Sequence, residues 1–173
     1  PISFLSFINI LYSTYFDYFL SVESYTLTLI SSLSVGILFY FFGKNARKKI
    51  VFFEQLILII SVISFSSFFI SLPYYFSNYQ ITFINSLFEG FSGITLTGFT
   101  IFENIKYLDP TLILWRSTSQ WIGGLYFLFF LILIFSNNQF RYKLNDISLT
   151  SVEGINTEQN IKSVILKVFL IYI

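Results

Sequence analysis

"FEGFSGITLTGFTIF", residues 88–102, separates two long apolar runs and is far more polar than either. Its fifteen residues hold three threonines, one serine, three glycines and a carboxylate, Glu89. Lipid supplies no hydrogen-bond partners, so irregular backbone at membrane depth persists only where protein encloses it or water reaches it. The fold turns on how this stretch is placed between its apolar neighbours.

Those neighbours point to a bilayer. The 173-residue chain is 55% hydrophobic and 11% charged, with mean hydropathy +0.74, whereas a soluble domain carries roughly a quarter charged residues. The net charge of +1 favours neither nucleic acid nor an acidic partner. The chain contains no cysteine and no histidine, which removes disulfides, thiolate metal sites and the commonest general base. Position 1 is Pro, methionine is absent and the last residues stop inside an apolar run, so the chain is expected to be a piece of a longer protein. No basic segment precedes the first apolar run, so a signal peptide is not expected.

Residues 2–20 hold one charge, Asp17; residues 24–43, 55–88 and 117–140 hold none. A spanning helix needs about 20 apolar residues at about 1.5 Å each. These runs predict helices over 3–20, 25–43, 51–73 and 111–136, with a fifth cut off after about 160. The organisation expected is an N-terminal helix pair over 1–43 and a basic cytoplasmic loop over 44–50 ("KNARKKI"). A unit of helix, loop and helix follows over 51–136. A cytoplasmic connection, 137–160, leads to the start of another helix, 161–173.

Pro73 is expected to end the third helix, because it disfavours helical angles in the residue before it. "QITFINSLFEGF", residues 80–91, then reads as a half-helix too short to cross a bilayer, followed by a loop over 92–100. Asp109 and Pro110 suit the cap and first position of the next helix. Lysine and arginine concentrate in the 44–50 and 137–160 segments, which places those inside and the half-helix outside. Span, half-helix, glycine-broken loop and span are the parts of a pore unit, in which backbone carbonyls replace the hydration shell of a cation. Gly98 permits the backbone angles such a loop requires.

Within this reading, residues 88–100 together with "LWRSTSQWIGGL", residues 114–125, resemble the Trk/Ktr/HKT potassium transporters, most closely the bacterial TrkH type. That family reads F-E-x-x-S-G-x-T-T-T-G-A-T and then W-R-x-x-x-Q-W-x-G-G. Matches here are Phe88, Glu89, Ser92, Gly93, Thr95, Thr97, Gly98, Thr100, Trp115, Arg116, Gln120, Trp121, Gly123 and Gly124. Leu96 stands where the family has its middle threonine, and Phe99 where it has a small residue.

The resemblance implies an all-α membrane protein. Two N-terminal helices precede one helix–pore-loop–helix repeat, truncated at the start of the next, and four such repeats surround one pore. It implies potassium uptake across the bacterial inner membrane, K+ as the transported ion, no other cofactor and no enzymatic activity. It further implies contact with membrane lipid, a homodimer and a cytosolic nucleotide-binding regulatory subunit. The filter ligands are then the carbonyls of Ile94, Thr95, Leu96, Thr97 and Gly98, with K+ at Thr95–Gly98. Glu89, Ser92, Gly93, Arg116 and Gln120 support them.

Glu89 is the only charged residue between Glu54 and Glu103, and a carboxylate at that depth needs a partner. Arg116 lies at a similar depth in the next helix and is the expected one; the alternative is that Glu89 caps loop amides while Arg116 snorkels. Gln120, one turn on, is expected to donate to the loop. Trp115 and Trp121 are expected to pack, and Gly123 and Gly124 to let helices approach closely. Two rival functions fit parts of the same stretch. "GFSG", residues 90–93, matches the G-x-S-G of intramembrane serine proteases, but no histidine is present to activate the serine. A subunit of a tetrameric cation channel calls for a T-V-G-Y-G-like run that "TGFT" does not supply.

Overall fold

A computed structural model describes residues 1–17, 19–44, 51–135, 167 and 170–172. Five α-helices follow in order: α1 (Ile2–Tyr15), α2 (Phe19–Gly43), α3 (Phe52–Tyr75), α4 (Phe83–Ile94) and α5 (Pro110–Phe135), with a 3-10 turn at Ile105–Tyr107 before α5. No strand occurs among the described residues. The expected loop over 44–50 falls almost wholly, and the connection over 137–160 entirely, outside the described residues. Of the last segment, residues 167 and 170–172 are helical.

α2 over Val22–Gly43 and α3 over Phe52–Tyr75 are long and apolar enough to cross a membrane. α1 differs from expectation. It stops at Tyr15 after 14 residues, about 21 Å, short of the roughly 30 Å hydrocarbon core. The chain turns at Asp17, whose φ of 58° is left-handed, and α2 begins at Phe19 rather than near 25. An aspartate tolerates that conformation better than most residues, so the one charge in this run marks a turn. α1 packs along α2, burying Ile2, Leu5, Ser6, Asn9 and Ser13 at helical spacing.

The helices accommodate many hydroxyls without opening their backbones. Ser6 Oγ donates to the Ile2 carbonyl at 3.1 Å, Thr28 Oγ1 to Ser24 at 2.8 Å, Ser67 Oγ to Ile63 at 2.9 Å and Ser71 Oγ to Phe68 at 2.6 Å. A hydroxyl that bonds the preceding turn leaves no donor unmet in an apolar setting.

The chain divides into two compact units. One comprises Pro1–Lys48 and Ser61–Gly124, the other Lys49–Ile60 and Leu125–Ile173. The second holds the start of α3, where Glu54 Oε2 accepts from the Val51 N–H at 3.0 Å. It also holds the last turns of α5, where Tyr126 and Phe130 meet at 5.8 Å between ring centroids. The first unit contains everything described below.

In that unit α3 runs two residues past Pro73 to Tyr75. The Phe76 N–H still donates to Leu72 at 2.9 Å, so the proline removes one donor near the end without stopping the ladder. α4 starts three residues later than expected. Gln80 takes φ 50°, and Thr82, in extended conformation, caps the helix by accepting from the Asn85 N–H at 3.4 Å. A threonine side chain satisfies an orphan donor there, which fixes the start at Phe83. Ser92, Gly93 and Ile94, expected in the loop, are therefore helical.

Candidate functional site

α4 turns its small and polar face inward. Ser86, Glu89, Gly90, Ser92 and Gly93 are buried, while Ile84 is 77% exposed and Phe88 and Phe91 are partly exposed. Glycines set how closely it packs. A Cβ on Gly90 would collide with the Ser67 carbonyl of α3 and lie 3.2 Å from the Ser71 nitrogen. One on Gly93 would lie 2.5 Å from Ser119 Oγ of α5, and one on Gly123 would collide with the Ile94 carbonyl. Missing side chains thus let backbone meet backbone on both sides of α4.

α4 ends in a left-handed cap. The Thr95 N–H donates to Phe91 at 3.0 Å, and the Leu96 N–H to Gly93 at 3.2 Å. Leu96 has φ 61°, the conformation usually given to glycine one residue past the cap. Gly98 follows at φ 74°. The turn is closed by the Gly98 N–H to Ser92 carbonyl bond at 3.4 Å and by Thr97 Oγ1 to the same carbonyl at 3.3 Å. The carbonyls of Thr95, Leu96 and Thr97 accept no hydrogen bond among the described residues, and all three residues are exposed.

Beyond Gly98 the loop is held from both sides. Glu89, fully buried, is the seventh residue of α4, and Arg116 is the seventh of α5. Each sits about 10 Å along its helix, and their side chains form an ion pair. Glu89 Oε1 also accepts from Thr100 Oγ1 and from the Ile101 N–H, both at 2.7 Å. The carboxylate therefore pairs with Arg116 and caps a loop amide at once. The second guanidinium nitrogen, Nη2, donates to the carbonyls of Gly98 at 2.8 Å and Phe99 at 3.1 Å. Ser92 Oγ donates to the Phe99 carbonyl at 2.5 Å. A planar guanidinium distributes several donors in a fixed fork, so one side chain ties loop to both helices.

Several expected positions differ in detail. The Ile94 carbonyl is the last of a helix and packs against Gly123, so it does not lie in the loop. The Gly98 carbonyl already accepts from Arg116. Gln120 is half-buried on α5 and makes no hydrogen bond to the loop among the described residues. Trp115 is fully buried, meets the Tyr25 ring in a tilted contact at 5.4 Å between centroids and donates Nε1–H to the Ile70 carbonyl at 3.0 Å. Sequence reasoning passed over Thr100 as a contact of Glu89. The only signal was its place in the matched motif, since a pairing 11 residues apart follows no helical period. Ser92 Oγ, the hydroxyl of the G-x-S-G match, donates to the Phe99 carbonyl.

No family model and no solved structure matches the sequence. Curated relatives do. A protein named uncharacterized cation transporter from Methanocaldococcus jannaschii is 30% identical over 102 residues, 56% of this chain and 22% of that protein. The Trk system potassium uptake protein TrkI of Halomonas elongata is 42% identical over 66 residues, 38% of this chain and 13% of that protein. TrkG of Escherichia coli, also named a Trk system potassium uptake protein, is 45% identical over 49 residues, 28% of this chain and 10% of that protein. The chain spans about a fifth or less of the length of these relatives. Over those stretches it is a relative of the Trk system potassium uptake proteins.

Proposed function

We propose that this chain supplies one pore unit of a potassium uptake protein. In this reading α3, α4 with its loop, and α5 form the first of four helix–pore-loop–helix repeats in a longer, multi-pass inner-membrane protein. The carbonyls of Thr95, Leu96 and Thr97 are one quarter of the ligand set for K+. Gly98 gives the turn its angle, and Glu89, Ser92, Gly93 and Arg116 hold the loop against α4 and α5. Gln120 lines the supporting helix. The observation that carries the reading is the run of three exposed carbonyls with no donor among the described residues, beside a loop end tied by a buried ion pair. A free carbonyl oxygen is a ligand for a hard cation, and the tether prevents its collapse into hydrogen bonds with its own chain.

A homodimer and a cytosolic nucleotide-binding regulatory subunit are carried over from the family resemblance. The test is expression of the full-length gene in a bacterium lacking its potassium uptake systems. Growth at low K+ and Rb+ uptake are expected. Absence of both with the protein present in the membrane overturns the reading, as does uptake unaffected by proline at Thr97, which would re-aim the loop carbonyls.

A further inference from the structure

We propose that Tyr79 is a positioning residue for the loop carbonyls, and that the ion selectivity of the pore unit depends on it. This deepens the pore reading of α3–α5 and rests on it. Tyr79 stands in the turn between α3 and α4. Its hydroxyl accepts from the Asp109 N–H at 2.8 Å, a bond of full strength by its length, just before α5 begins at Pro110. The same hydroxyl donates to the Tyr107 carbonyl in a longer bond of 3.5 Å. Its ring meets the Phe102 ring edge-on at 6.0 Å between centroids, within the roughly 4.5–7 Å of favourable aromatic pairs. Phe102 and Asp109 are the two ends of the connector that joins the loop to α5. One side chain therefore holds both ends.

Phe102 carries this hold inward. Its ring also lies against Tyr74 of α3 at 6.5 Å between centroids, and Tyr74 is fully buried. Its N–H donates to Thr100 Oγ1 at 3.2 Å, and that hydroxyl donates to Glu89, the partner of Arg116. Arg116 in turn holds the Gly98 carbonyl. A displacement of Phe102 thus reaches the loop through a series of bonds rather than through slack chain. Every contact in the series joins residues of one compact unit. Backbone carbonyls discriminate between cations by their position and number. The cap of α4 sets the near end of the loop; the ion pair and, outside it, the Tyr79–Phe102 clasp set the far end.

The test uses the full-length protein and two readouts: the ratio of Rb+ to Na+ uptake, and amide hydrogen exchange over residues 96–109. Tyr79→Ala removes ring and hydroxyl. It is expected to speed exchange over both 98–102 and 105–109 and to lower the uptake ratio severalfold. Tyr79→Phe keeps the ring, so it should speed exchange mainly over 105–109 and retain most of the ratio. Phe102→Ala breaks the clasp from its other side and should lower the ratio as Tyr79→Ala does, which keeps the test decisive if one variant does not fold. Unchanged ratios in both alanine variants, with uptake falling only in proportion to the protein in the membrane, overturn the proposal. So does faster exchange confined to 105–109 in Tyr79→Ala. A parent protein that takes up neither ion overturns the pore reading instead, and exchange over 98–102 then decides by itself whether Tyr79 holds the loop.

Discussion

Glu89→Gln is the perturbation with the most to reveal. The carboxylate takes three donors: Arg116 Nη1, Thr100 Oγ1 and the Ile101 N–H. Glutamine has one acceptor oxygen. If that oxygen keeps Thr100 and Ile101, the amide NH2 faces the guanidinium, donor against donor. Arg116 keeps its bonds to Gly98 and Phe99 but loses its counter-charge, with its side chain only 8% exposed. Removing one partner of a buried pair costs about 3–5 kcal/mol, because the other charge stays buried and uncompensated. At about 1.4 kcal/mol per tenfold, folding of this region weakens by two to three and a half decades. Arg116→Gln should cost a similar amount, leaving Glu89 with two donors and no cation.

The double variant Glu89→Gln/Arg116→Gln is the decisive arm. With both charges gone the penalty of the orphan disappears, so it should be more stable than either single variant by at least about 1.5 kcal/mol. The assay is thermal unfolding of the purified full-length protein, with Rb+ uptake in parallel. Two single variants that melt like the parent would refute the reasoning. A double variant whose loss equals the sum of the singles would do so as well, because the two side chains would then act independently.

Other outcomes follow from the same geometry. Leu96 occupies a left-handed position and is 47% exposed, so Leu96→Ile, whose branched Cβ crowds that backbone conformation more than leucine's, should lower stability further. Leu96→Gly should be near neutral in unfolding measurements, since relief of strain is offset by a more flexible unfolded chain. Thr100→Val removes a bond to a buried carboxylate and should cost about 1.5–3 kcal/mol. Thr100→Ser should recover most of that loss and of Rb+ uptake. Gly123→Ala places a Cβ against the Ile94 carbonyl and should cost about 1–3 kcal/mol by forcing α4 and α5 apart, with reduced uptake at unchanged membrane expression.

What the sequence determined by itself is what short-range chemistry and composition control. Long charge-free runs make helices, and the glycine- and threonine-rich break between them makes a short helix and a loop. The lone Glu89 and the Arg116 beyond Asp109-Pro110 lie at matching depths because each is counted from a helix start. Thr82 was a readable cap as well, and taking it would have set α4 correctly; the apolar run that begins before it drew the boundary three residues early. The tertiary structure decided what depends on distant partners. Whether α3 stops at Pro73 depends on the bonds of the residues after it. Which loop carbonyls stay free depends on where one guanidinium, 18 residues from Gly98, directs its nitrogens. That Ile94 faces Gly123 rather than the loop depends on how closely two helices without side chains between them can approach. No local pattern encodes these outcomes, because each is a competition for donors and space settled only when α3, α4 and α5 are brought together.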